Sequence, residues 1–116
     1  MQEPTAAPQE SEDELMPFKI IAAAGKARTL AYEALEAAKA GEFERADELL
    51  AAANDASLEA HEAQTGLLVR EASGDHMPVN VMLVHAQDHL MTSMLAIEMI
   101  GELIGMQKQI HGLQQE

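Results

Sequence analysis

Apolar residues at helical spacing run through three long segments of this chain, and this periodicity constrains the fold more than any other feature. They recur at steps of three and four residues between Leu15 and Ala40, then from about Glu42 to Ser73, and again from about Val79 to His111. Such spacing places the apolar side chains along one face of a helix. The sequence therefore predicts three long helices.

Two short breaks separate the predicted helices. Gly41 follows the first segment, where glycine commonly ends a helix, and Gly74 and Pro78 bracket the second break. Aromatic residues make up only 3% of the chain, so the core must be built from alanine, leucine, isoleucine and methionine. Because such short breaks join antiparallel neighbours, we expect an all-α fold, an antiparallel up-down-up three-helix bundle.

The first fourteen residues differ from the rest of the chain. The segment MQEPTAAPQESEDE contains two prolines, five acidic residues and no large apolar residue after Met1. A segment of this kind buries too little surface to offset the chain entropy lost on ordering. We therefore expect residues 1–14 to be a disordered acidic tail and residues 15–116 to form the folded domain. We also expect Pro17 near the start of the first helix, because the missing N–H of proline is tolerated there.

The net charge of −13, from seven basic and twenty acidic residues, limits the partners of this protein. A surface this acidic repels nucleic acid and anionic lipid. The chain has no cysteine, which excludes disulfides and thiolate metal sites. It has no long uninterrupted apolar run and no signal-peptide pattern, so we expect a cytoplasmic protein that does not insert into a membrane.

The third predicted helix is apolar on two sides. One stripe consists of Leu83, Leu90, Met94, Ile97 and Ile104, and the other, roughly opposite, of Val81, Leu95, Met99 and Met106. A helix with two apolar faces is buried on both of them. Two companion helices in the same chain cover only one face well. The second stripe therefore predicts self-association.

The stretch VHAQDHLM of the third helix carries two histidines and an aspartate among apolar residues. Residues four apart lie about 40° apart around a helix, so His85 and His89 share a flank. Asp88 lies seven residues from both Val81 and Leu95, within the second stripe. If identical helices meet there, clustered Asp88 carboxylates bind protons or recruit a hard divalent cation. A lone, solvated Asp88 is the alternative.

The residues alone leave three interpretations of His85 and His89 open. They are surface histidines of a passive helical binding module, a zinc pair of a hydrolase, or a phosphorylated histidine with its neighbour. The spacing HxxDH resembles the zinc-binding HxxEH arrangement, but no third ligand is evident in the sequence. A neutral imidazole can accept a phosphoryl group near pH 7.

In combination, three segments of the chain resemble one protein family. MLVHAQDHLMTSMLA, with AGKARTLAYEALEAAKAGEF and EAHEAQTGLL upstream, is similar to the enzyme IIA component of the lactose/cellobiose/chitobiose branch of the bacterial sugar phosphotransferase system. The likeness extends from about Leu15 to Met106. It implies a phosphotransferase component, a histidine phosphocarrier that assembles as a homotrimer of three-helix subunits.

The resemblance also implies roles for four residues of the third helix. His85 matches the histidine that accepts phosphate from the phosphocarrier protein HPr and passes it to a cysteine of the IIB component during disaccharide uptake. Gln87 and His89 match residues that line the active-site groove. Asp88 matches the aspartate that, contributed by each subunit, binds one Mg²⁺ per trimer. The implied partners are HPr, IIB and further copies of this chain.

Overall fold

The structure is a bundle of three long α-helices. The computed structural model describes residues 8–115, with side chains from residue 12 onwards. Helix α1 spans Pro8–Lys39, α2 spans Phe43–Ala72 and α3 spans Val81–Gln114, and the described part of the chain contains no strand. Helices α1 and α3 run parallel to each other and antiparallel to α2. The predicted up-down-up bundle is confirmed.

The ends of the helices are defined by local hydrogen bonds. Gly41 and Gly74 end α1 and α2 with positive φ angles of 81° and 89°. After Gly41, the N–H of Glu42 donates to the carbonyl of Ala37 at 2.9 Å, which satisfies a carbonyl that the helix end leaves free. Asn80 caps α3, because its side-chain oxygen accepts a backbone N–H of the first turn at 2.9 Å. The predicted helix end at Gly41 is confirmed.

The core is built mainly from alanine, whose small side chain lets neighbouring helices approach closely. Helix α1 packs along both other helices, whereas α2 and α3 contact each other over a shorter stretch. The buried residues form two clusters. The larger fills the half of the bundle near the α1–α2 turn. The smaller supports the first turns of α3 and consists of Ile20, Ala24, Ala60, Ala86 and Leu90.

Helix α1 begins seven residues before the predicted domain boundary at residue 15. The expectation of disorder is wrong for residues 8–14, which are helical, and residues 1–7 lie outside the described residues. A long-range ion pair stabilises this early start. Nη1 and Nη2 of Arg70 on α2 donate to Oδ1 and Oδ2 of Asp13 at 2.6 and 3.2 Å. The first turns of α1 are thereby tied to α2.

The same ion pair shifts the titration of its members. The hydrogen bond from Arg70 lowers the pKa of Asp13, and hydrogen bonds to Asp13 and Asp75 raise the pKa of Arg70.

Because α1 begins at Pro8, Pro17 lies inside the helix rather than in its first turn, where it was predicted, and it is buried. It has no N–H, so the carbonyl of Asp13 loses its usual helical partner.

Helix α3 buries one apolar stripe and exposes the other. Leu90, Ile97 and Ile104 of the first stripe are 0–6% exposed, and Leu83 and Met94 are half-buried. The four residues of the second stripe, here called the outer stripe, are 55–83% exposed: Val81, Leu95, Met99 and Met106. As expected, the bundle covers only one of the two apolar stripes of α3.

Helix α3 is also long and apolar enough to span a membrane. An 18-residue window within it has a mean hydropathy of 1.2, and 28% of that window is buried inside the bundle. A single helix of this kind is weak support for a membrane span, because a core helix has the same length and composition.

Candidate functional site

His85 and His89 lie in direct contact on one flank of α3, as predicted. Their rings meet edge to face, with centroids 4.4 Å apart and planes at 87°. The two Nε2 atoms lie 3.1 Å apart, so one of them donates a hydrogen bond and the other accepts it. His85 is exposed, whereas His89 is half-buried. An incoming molecule can therefore reach the ring of His85.

The direction of this hydrogen bond determines which histidine can act as a nucleophile. When His89 donates, Nε2 of His85 holds a lone pair and Nδ1 of His85 holds the proton. A neutral ring in this tautomer attacks without first losing a proton. Ala86 and Leu90, which follow the two histidines in sequence and lie about 100° further around the helix, are buried, which fixes the rotation of α3 and keeps the two imidazoles towards the surface.

A groove of about 590 Å³ lies between α1 and α3 beside this pair. Asp88, His89 and Thr92 line it from α3, and Arg28 and Tyr32 line it from α1. The guanidinium of Arg28 lies over the ring of Tyr32, 5.8 Å from its centroid, in a cation–π contact. Arg28 and Tyr32 were not predicted as site residues from the sequence. Their only signal in the sequence is a cation and an aromatic residue four positions apart on an alanine-rich helix.

Asp88 is exposed and lies in line with the outer stripe. The hydroxyl of Thr92 donates to the backbone carbonyl of Asp88 at 2.8 Å, and no described side chain hydrogen-bonds to the carboxylate. Carboxylate oxygens suit a hard cation such as Mg²⁺. Within the described residues, however, no three histidine, aspartate or glutamate side chains converge to hold a metal ion. Among the described residues, neither a cation at Asp88 nor a zinc ion at His85 and His89 has three side-chain ligands.

Gln87 lies on the opposite side of α3 from His85. Two positions along a helix correspond to a separation of about 160° around its axis. The Oε1 atom of Gln87 accepts a hydrogen bond from Nε2 of Gln64 on α2, which holds Gln87 against α2. Gln87 therefore does not face the His85 ring of its own subunit. Gln64, which lies in the segment EAHEAQTGLL, was not predicted as a partner of Gln87 from the sequence.

Comparison with known proteins identifies the family. Residues 15–108 match the family described as "PTS system, Lactose/Cellobiose specific IIA subunit". The chain belongs to this family. The lactose-specific EIIA component of Streptococcus mutans is 50% identical over 97 residues, which cover 84% of this chain and 93% of that protein. The corresponding protein of Staphylococcus aureus is 46% identical over 93 residues, which cover 80% of this chain and 90% of that one.

Solved structures of IIA proteins share the fold. The cellobiose-specific enzyme IIA from Bacillus anthracis superposes with a TM-score of 0.85 at 38% identity, covering 95% of each chain. A IIA(Chitobiose) chain, solved in complex with HPr from the Escherichia coli phosphotransferase system, gives a TM-score of 0.75 at 43% identity. That match covers 85% of this chain and 96% of the other. The protein is thus a IIA component of a sugar phosphotransferase system, and the resemblance found in its sequence is confirmed.

Proposed function

We propose that this IIA component is a cytoplasmic phosphocarrier in which His85 accepts the phosphoryl group of phospho-HPr and passes it to a cysteine of a IIB component. The observation that carries the proposal is the 3.1 Å contact between the Nε2 atoms of an exposed His85 and a half-buried His89. HPr is supported as the donor by the E. coli relative solved in complex with HPr. The cargo of the system is a disaccharide of the lactose, cellobiose or chitobiose type.

The proposed transfer needs no other acid or base. The lone pair on Nε2 of His85 attacks phosphorus in line, and the new N–P bond forms as the bond to the donor histidine breaks. The donor ring leaves with its electron pair, and His85 keeps the proton on Nδ1. Its ring is then positively charged and partly offsets the dianionic phosphoryl group. The Nε2–H of His89 turns to a phosphoryl oxygen. In the second step a IIB thiolate attacks phosphorus, and His85 recovers its lone pair.

We also propose that the subunits form a homotrimer along the outer stripe. The four apolar residues of this stripe are 55–83% exposed in the single subunit, which leaves a face of α3 without a partner. Gln87 supports the same assembly. Because it faces away from the His85 of its own subunit, it contributes to an active-site groove only when that groove belongs to a neighbour.

The proposed trimer brings three Asp88 carboxylates together in an apolar interface. Like charges in such an interface repel each other unless they bind protons or a cation. We propose that they bind one Mg²⁺, whose two positive charges offset most of their three negative charges and so stabilise the assembly. No step of the phosphoryl transfer passes through this ion.

The first experiment compares His85→Ala with His61→Ala, a matched control that removes an exposed histidine of α2. Each protein is incubated with phosphoenolpyruvate, enzyme I and HPr, and the phosphate is mapped. We expect acid-labile phosphate on the wild type and on His61→Ala, and none on His85→Ala, with equal helicity by circular dichroism. Phosphate on His85→Ala would reject the proposal. Wild-type protein without phosphate would favour a binding module, and stoichiometric zinc would favour a hydrolase.

The second experiment compares Asp88→Leu with Asp55→Leu, which makes the same charge change at an exposed position of α2. Sedimentation is measured in magnesium and in chelator. We expect the wild type and Asp55→Leu to lose trimer in chelator, whereas Asp88→Leu remains trimeric in both solutions because an apolar residue suits the interface. A wild-type protein that sediments as a monomer in magnesium would contradict the proposed assembly.

A further inference from the structure

The chain has seven basic side chains against twenty acidic ones, and their positions single out one of them. Three form ion pairs with carboxylates, namely Lys39, Arg70 and Lys108. Three line other depressions of the surface, namely Lys19, Lys26 and Arg45, and Arg28 also reaches the depression at Arg45. Arg28 is the basic residue that lines the groove beside His89. For a phosphoryl dianion bound on this flank of α3, Arg28 is therefore the basic side chain of the adjoining groove.

The charge of Arg28 is available to a ligand. Among the described side chains, no carboxylate lies within ion-pair distance of it. Its guanidinium rests on the ring of Tyr32, a contact that orients a planar cation without neutralising it. On α3 the groove that Arg28 lines begins at Asp88 and His89, within about one helical turn of His85.

We propose that the guanidinium of Arg28 binds the phosphoryl group carried on His85. This inference rests on the proposed function and deepens it by naming the cation of the site. Nε2 of His85 faces Nε2 of His89 at 3.1 Å, and His89 and Arg28 line the same groove, so a phosphoryl group on that nitrogen lies next to His89 at the edge of the groove. Two N–H groups of the guanidinium match two phosphoryl oxygens in a bidentate contact.

The charges around the groove make such a contact necessary. The net charge of −13 on each subunit repels an incoming phosphoryl dianion. His89 offers a single N–H to the phosphoryl oxygens. Arg28, supplied from α1, opposes Asp88 on α3 across the groove. It therefore acts as a catalytic residue in the strict sense, because it touches the group that is transferred.

The test compares Arg28→Gln with Arg45→Gln, which removes the same charge near the α1–α2 turn. The rate of phosphorylation by phospho-HPr is measured for both. We expect Arg28→Gln to lower kcat/KM about 10- to 100-fold, the loss typical of a charge-assisted hydrogen bond. Arg45→Gln should change it by less than about twofold. The kcat/KM of Arg28→Lys should fall between the values of Arg28→Gln and Arg45→Gln, because lysine keeps the positive charge but lacks the planar guanidinium.

A second measurement separates phosphate binding from a structural role. Phosphorus NMR of the phosphorylated protein follows the titration of the phosphoryl group. Removing a bound cation raises the pKa of that group, so Arg28→Gln should titrate at higher pH than Arg45→Gln. Equal rates in the two variants, or an unchanged phosphoryl titration in Arg28→Gln, would overturn the role of Arg28. Phosphate uptake by His85→Ala would instead overturn the proposed function, so the two failures are distinguishable.

Discussion

Replacing Ser93 with alanine should stabilise the protein, because the hydroxyl of this residue is buried and unbonded. Ser93 is 1% exposed on the face of α3 that packs into the bundle, and its Oγ has no hydrogen-bond partner among the described residues. A buried hydroxyl without a partner costs about 1–3 kcal/mol, and serine is about 0.5 kcal/mol less favourable than alanine in a helix. Loss of the packing made by one oxygen atom offsets part of this gain. We expect the free energy of unfolding of Ser93→Ala to rise by about 1–2 kcal/mol.

The assay is urea unfolding followed by circular dichroism at one fixed subunit concentration, because subunit assembly contributes to the measured stability. The matched control is Ser57→Ala on α2, where the serine is only half-buried and the gain should be limited to about 0.5 kcal/mol. The slope of the transition should be the same in all three proteins. Should Ser93→Ala unfold at a lower urea concentration than the wild type, the reasoning is refuted. The hydroxyl would then be bonding a helical carbonyl such as that of His89.

Two further predictions concern the α1–α2 turn and the start of α1. Gly41→Ala should lower the free energy of unfolding by about 1–2 kcal/mol, because its φ of 81° disfavours a Cβ. Gly105→Ala should raise the free energy of unfolding by about 1 kcal/mol, because no neighbouring side chain lies within 4 Å of the added Cβ. Thermal melts that show the same sign for both variants would contradict this account. Asp13→Asn should free the first turns of α1 and so speed amide exchange over residues 8–16. Because Arg70 lowers the pKa of Asp13, the ion pair stabilises the folded state fully above the usual pKa of 3.8 and loses this effect as pH falls through the lower folded value. The difference in free energy of unfolding between the wild type and Asp13→Asn, measured by urea unfolding, should therefore shrink below pH 3.8. A difference that does not change with pH would disprove the stabilising role of the ion pair.

The helices and the two faces of α3 could be predicted because their signals are local. Spacing of three and four residues indicates a helix wherever it occurs, and glycine at position 41 marks the end of one. The start of α1 could not be predicted in this way. It depends on Asp13 and Arg70, which are 57 positions apart in the sequence, and composition alone favoured disorder. The ion pair between them ties this part of the helix to α2, and no local sequence pattern indicates it.

The site was predictable to the same extent. The shared flank of His85 and His89 follows from a spacing of four, and their contact confirms it. The position of Gln87 on the far side of α3 also follows from helix geometry, but its bond to Gln64 depends on how α2 packs. Arg28 carries no motif, and its place beside the histidines arises only when α1 and α3 come together. Contacts between helices therefore supply what the sequence pattern lacks.

The opposite directions of His85 and Gln87 on α3 have a genetic consequence. In the proposed trimer, an assembly made only of subunits without the His85 imidazole has no working site. An assembly made only of subunits without the Gln87 amide has none either. In a cell that carries both mutant alleles, every mixed trimer contains a pair of neighbours in which one supplies the intact histidine and the other the intact glutamine. Two defective copies of the gene would then restore growth on the disaccharide together, although neither does so alone.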